Sequence, residues 1–139
     1  MNRKIILILF LPFFLTACFN SSKIQPAAKE DVPKNIVDIS EKNRQEVNVL
    51  VGDVLYIKLF GNDYKNYQWS FSSFESIDYL NLVKHEISVL DQEDGSYIDE
   101  WEIEVIKEGS FSLKFDYGKL NKDPESFFEV EVVSQKISN

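Results

Sequence analysis

The sequence has little of several residue types: one cysteine, one histidine, one methionine, five glycines and four prolines in 139 residues. A lone cysteine closes no disulfide within the chain, so an exported form must be held together by its hydrophobic core. One histidine and no cysteine pair leave too few of the usual ligands for a zinc centre. No metal and no cofactor are therefore expected. Positive charge is also scarce: 15 Lys and Arg stand against 23 Asp and Glu, for a net charge of −8. Nucleic acid and anionic headgroups both attract basic surfaces, so this balance argues against either as an electrostatic partner. A Gly-x-Ser-x-Gly turn is missing too, and His85 lies between Lys84 and Glu86 with no free thiol to activate, so no catalytic set is expected and the chain is not read as an enzyme. The acidic run Asp91-Gln92-Glu93-Asp94-Gly95 fails as a calcium loop. Setting Gly95 at the sixth position of an EF-hand places Leu90, Gln92 and Trp101 at ligand positions. A solvated acidic turn is the reading that remains.

What is present begins with an export signal over residues 1–17. Asn2-Arg3-Lys4 supplies positive charge, and Ile5 to Leu15 is an apolar run broken only by Pro12. At a rise of ~1.5 Å per residue that run falls well short of the ~30 Å of a bilayer core, so it should be removed rather than span. It closes with Leu15-Thr16-Ala17-Cys18, which resembles the lipobox of bacterial lipoproteins. The resemblance implies cleavage before Cys18 and a lipid on its sulfur, which accounts for an exported thiol without a partner. Phe19 after the cysteine favours the outer membrane if the host is Gram-negative, and the expected location is the cell envelope. Loss of two positive charges, Arg3 and Lys4, takes the net charge from −8 to −10. Lipid, not charge, would hold the chain to the membrane. Residues 18–45 carry Ser21-Ser22, Pro26-Ala27-Ala28, Lys29-Glu30-Asp31 and Pro33, a composition that reads as a tether.

From Glu46 the pattern changes to a period of two, and the domain is placed at residues 46–139. Val47, Val49 and Val51 alternate with Glu46, Asn48 and Leu50; Tyr67, Trp69 and Phe71 alternate with Gln68, Ser70 and Ser72. Trp101, Ile103 and Val105 do the same against glutamates, as do Phe111, Leu113, Phe115 and Tyr117, then Phe128, Val130 and Val132. With Val54–Phe60 and the weaker stretches 79–83 and 86–90, about seven to eight short strands follow, separated by turn signals such as Gly61-Asn62-Asp63, Asp94-Gly95-Ser96 and Asn121-Lys122-Asp123-Pro124. No window carries helical spacing. The fold class is all-β, an immunoglobulin-like antiparallel β-sandwich, with Trp69, Trp101, Phe111, Phe115 and Phe128 as its first core residues.

The order of these residues is similar to the chagasin-type inhibitors of papain-like cysteine peptidases. Val49-Leu50-Val51-Gly52, then Asn62, Tyr67 and Trp69, resemble that family's stretch from its glycine to Asn-Pro-Thr-Thr-Gly-aromatic-x-Trp. Trp101, Gly109 and Tyr117 resemble the aromatic, glycine and tyrosine of its last hairpin, and Phe128-Glu129-Val130 its final strand. The resemblance covers about Val47 to Val133 and implies inhibition by three loops at one end of the sandwich, wedged reversibly into a peptidase cleft. On that alignment the first loop is Asn62, Asp63, Tyr64, Lys65 and Asn66, with Asn66 at the family's glycine position and so expected in a left-handed conformation. The second loop falls on Asp94, Gly95, Ser96 and Tyr97. The third falls on Gly118, Lys119, Leu120 and Asn121, where Lys119 keeps a charge but not the planar fork of the family's arginine. Asp63 and Lys65 need partners in a closed cleft, because an unpaired charge is costly to desolvate.

Two functions from different classes follow. One is a membrane-anchored, monomeric inhibitor whose partner is a papain-like peptidase. The other is a non-inhibitory envelope lipoprotein that uses the same sandwich to bind or assemble, through a surface such as the Glu100, Glu102 and Glu104 face.

Overall fold

The computed structural model describes residues 34–137; the expected signal, Cys18 with its expected lipid, and most of the expected tether lie outside them. Eight strands occur in the order β1 (Ile36–Asp38), β2 (Glu46–Leu50), β3 (Val54–Gly61), β4 (Tyr67–Phe71), β5 (Leu80–Val89), β6 (Tyr97–Val105), β7 (Gly109–Lys119) and β8 (Ser126–Gln135). Among the described residues a single 3₁₀ helix, Phe74–Tyr79, joins β4 to β5. One sheet runs β1-β3-β6-β5 and the other β2-β8-β7-β4.

The period-two pattern explains why these segments are strands. Along β6, Tyr97, Asp99, Trp101, Ile103 and Val105 are buried while the residues between them are partly open. The same alternation on β7 buries Phe111, Leu113 and Phe115, and on β8 Phe128, Val130 and Val132. These side chains meet between the sheets with Leu55, Ile57 and Leu59 of β3. Four of the five expected core aromatics are buried there; Trp69 is only half-buried, on the short edge strand β4, where it packs against the cluster.

Three expectations need correction. Residues 36–39 belong to the sandwich, not the tether: β1 pairs with β3 and Ile39 is fully buried. Three of these four residues are apolar, but they follow a polar stretch containing Pro33, and three residues of strand carry almost no periodic signal. The sandwich is also not wholly antiparallel, since β1 lies parallel to β3 and β2 parallel to β8. The chain crosses from one sheet to the other between β1 and β2, so both strands enter as edges without a hairpin to reverse them. Finally, stretches 79–83 and 86–90 form one strand. No turn separates them; the pattern breaks because the register shifts between Leu82 and Lys84, a β-bulge that adds Val83 to one side.

Candidate functional site

Strand register sets which loops are neighbours. Gly61, the last residue of β3, pairs with Tyr97, the first of β6, and Tyr97 also pairs with Val89 at the end of β5. In the other sheet Tyr67 opens β4 opposite Lys119, and Tyr117 pairs with Ser126 at the start of β8. The loops after β3, β5 and β7 therefore share one end of the sandwich, which brings the three sequence-predicted segments together.

The first loop is closed on itself. The backbone N–H groups of Asn66 and Tyr67 donate to the Asp63 carbonyl at 2.8 and 2.9 Å, and the Asn66 amide donates to both carboxylate oxygens of Asp63 at 3.0 and 2.8 Å. Asp63 thus already has a partner within the loop. It is also the residue that turns left-handed, at φ +55°, rather than Asn66. Asn66 was expected there by position, but its amide is the donor that caps the turn while the aspartate, which tolerates this conformation, takes the bend.

Two further bonds tie this loop to its neighbours. The Tyr64 N–H donates to the Gly95 carbonyl at 3.0 Å. The Tyr117 hydroxyl accepts from the Asn62 N–H at 2.9 Å and donates to the Asn62 carbonyl at 2.8 Å. Glycine is needed at both contact points. A Cβ on Gly95 would sit 2.9 Å from the Asp63 Cα, at a φ of +73°, and one on Gly61 would lie 2.3 Å from ring carbons of Tyr97.

Tyr97 corrects the expected second loop. It is almost wholly buried, with its ring packed over Gly61 and its hydroxyl donating to the Tyr67 carbonyl at 3.2 Å. Burial, with smaller effects from Tyr117 and Asp99, pushes its hydroxyl up to about 12. Tyr97 is a pin under the loops rather than a contact for a partner. Sequence alignment could not separate the two, because it assigns a position and not a direction. Asp94 remains exposed, its carboxylate lowered by the Ser96 N–H that it accepts at 2.7 Å.

In the third loop Leu120 is 82% exposed, the most open large apolar side chain among the described residues. Asn121 takes the left-handed turn at φ +62°. Lys119 holds its ammonium 5.0 Å from the centre of the Tyr67 ring, a cation–π contact that keeps the charge on the loop side. Gly118 lies within β7 opposite Gln68, close to Pro124, and supports the loop without forming its tip. The sequence reading missed Gly61 and Tyr117 as pins: Gly61 reads as an ordinary turn residue and Tyr117 sits inside a regular strand pattern, and only their cross-loop contacts distinguish them.

The alternative acidic face is largely engaged within the sheet. The Tyr56 hydroxyl donates to Glu100, and Lys34 reaches Glu104 at 2.8 Å. Among the described residues no cluster of three or more His, Cys, Asp or Glu is placed to hold a metal ion.

The sequence matches no protein-family model and no curated protein. Among solved structures it is similar to the cysteine protease inhibitor EhICP2 from Entamoeba histolytica, with TM-score 0.60 and 19% identity over 73% of this chain and 95% of that one. It is also similar to amebosin, with TM-score 0.55 and 19% identity over 74% and 99% of the two chains. A third is PbICP-C, solved in complex with falcipain-2, with TM-score 0.51 and 18% identity over 73% and 99%. At these identities the likeness is one of architecture: this chain has the β-sandwich fold of the chagasin-type cysteine protease inhibitors.

Proposed function

We propose that this chain is a lipid-anchored, reversible inhibitor of papain-like cysteine peptidases, working through the loop end of the sandwich and carrying no catalytic chemistry of its own. The observation that carries the reading is the convergence of three loops at one end, knit together by the Tyr117–Asn62 and Tyr64–Gly95 bonds. Loops already held in place lose little conformational freedom on binding, which is what a wedge needs. The solved structures it resembles add support, since one is a cysteine protease inhibitor and another is held in a complex with falcipain-2. Contacts are assigned to Asn62, Tyr64, Lys65, Leu120 and Lys119, with the internally paired Asp63 spared the desolvation of a free charge. Leu120 takes the place of an apolar anchor. The anchor to the membrane is the lipid on Cys18, supported by Leu15-Thr16-Ala17-Cys18, and the place is the bacterial envelope.

The test is a titration of a soluble chain beginning at Asp31 against papain and a cathepsin-L-like enzyme. Competitive, reversible inhibition is expected, weakened by Leu120→Ala and by Lys119→Ala. No inhibition at ~10 μM excludes binding stronger than roughly −7 kcal/mol and would end the reading. Labelled palmitate should enter the parent chain in a bacterial host and not Cys18→Ser.

A further inference from the structure

The two outer strands of the β1-β3-β6-β5 sheet differ in length: β1 has three residues and β5 ten. Within the sheet β5 pairs with β6 alone, so its far edge carries unpaired backbone groups along most of that length. Its side chains are open as well. Leu82, Val83, Ile87 and Val89 are 56, 49, 47 and 40% exposed. Their partners across on β6 are buried: Ile103 opposite Leu82, and Tyr97 opposite Val89. A long apolar edge in this state is a template for another strand.

The charges on β5 select which strand. Lys84 and Glu86 flank His85, are both about half exposed, and bridge to each other at 2.6 Å within the strand, a pair that two opposed copies exchange for pairs across the seam. In an antiparallel pairing of two β5 strands, directly opposed residues must share a face, so allowed registers differ by two residues. Centring the pair on His85 sets Lys84 opposite Glu86 of the second copy, twice by symmetry. Moving the centre to residue 84 opposes two lysines, and moving it to residue 86 opposes two glutamates. The favoured register also sets Val83 against Ile87 of the second copy, matching two exposed apolar side chains, and the bulge at Val83 confines the regular pairing to residues 83–87, because beyond it Leu82 and Ser88 face opposite ways. We infer that two copies of this chain associate through β5, antiparallel about a two-fold axis at His85, extending two four-stranded sheets into one of eight strands.

The arrangement is isologous, so it closes as a dimer and does not propagate. Because the strands run antiparallel, the two loop ends face opposite ways and each copy's candidate site stays open. The net charge, −8 for the full sequence and −8 − 2 = −10 without Arg3 and Lys4, opposes the approach, but physiological salt screens that repulsion beyond roughly 8 Å and leaves the local pairs in force.

Sedimentation of the full chain, in enough excess of mild detergent that micelles hold single copies, tests the inference at physiological salt. The parent is expected to sediment as a dimer. Lys84→Glu and Glu86→Lys should each weaken association about tenfold or more, since each puts like charges opposite one another twice. The double variant K84E/E86K should return it to near the parent value. These residues lie on the surface, so far-UV circular dichroism should show all three variants folded. As a second readout, His85→Cys should form a disulfide-linked dimer on mild oxidation, because opposed residues lie about 4.5–5.5 Å apart, within reach of the bond. Glu131→Cys, on an interior strand of the other sheet, should form none beyond the parent, which shares Cys18. A parent that stays monomeric at about 100 μM, weaker than any specific interface of standard size, would overturn the dimer and leave Lys84 and Glu86 as edge protection. A double variant no better than the single ones would overturn the register.

Discussion

The middle of the sandwich and its loop end are built on different principles. In the middle, Leu55, Ile57, Leu113, Phe115, Val130 and Val132 are fully buried between the sheets, and each shares its packing with several others. At the loop end the shape depends on single contacts: one tyrosine hydroxyl on the Asn62 backbone, one carbonyl on Gly95, one ring over Gly61. Apolar burial is non-directional and spreads over many residues, whereas hydrogen bonds and close approaches are specific to the groups that make them. Stability and loop geometry are therefore open to separate change.

The sharpest way to test that separation is to damage each region alone. Phe115→Ala removes a fully buried ring that touches Phe71, Trp101 and Phe128, and should cost about 3–5 kcal/mol in denaturant unfolding. Gly61→Ala should come next, at roughly 1–3 kcal/mol, because the added methyl meets the buried Tyr97 ring, which has no room to swing. If it costs nothing, the ring is less firmly set than its burial implies. Tyr117→Phe keeps the ring stack with Tyr67 and removes only the hydroxyl, for about 1 kcal/mol of stability. Its effect on peptidase inhibition should be larger, roughly tenfold, since it frees the first loop. Equal inhibition by this variant and the parent would show that Asn62 is held by other means.

The smallest effect joins the two regions. Asp99 lies on β6 two residues from Tyr97; its side chain is buried, with one oxygen 2.7 Å from His85 Nε2 and the other without a hydrogen-bond partner. Burial raises its carboxyl above the ordinary 3.8, and the His85 bond and charge, with the nearby Trp101 indole, pull it down by less. The folded chain therefore holds that proton more tightly than the unfolded chain. Its contribution to stability is present below about pH 4 and is lost as pH rises through the raised folded value. Unfolding curves should show the parent losing stability relative to Asp99→Asn as pH climbs above about 4. Parallel curves for the two would mean that His85 compensates the buried charge fully.

Much of this molecule is legible in its sequence. The period of two along 97–105, 111–117 and 128–132 is a property of neighbouring residues, and a strand with one buried face has little choice about which side chains it hides. The sandwich class, four of its five named core aromatics and the positions of most turns follow from that alone. The loop segments were placed by order and spacing, which register then brought to one end. Other features depend on residues distant in the sequence. That Ile36–Asp38 is a strand is decided by β3, which it joins in parallel, and not by its own three residues. That Tyr97 points inward and Tyr117 reaches across to Asn62 is decided by Gly61 and by the approach of β3 to β7. Likewise the exposed apolar edge of β5 looks like an ordinary weak strand in the sequence; only the sheet order leaves it without a neighbour. Local pattern determined which segments are strands and which face they bury, because those depend on residues one and two places apart. Tertiary structure decided the pins, the parallel edges and the open strand, because a hydrogen bond or a steric gap exists only once distant segments have met.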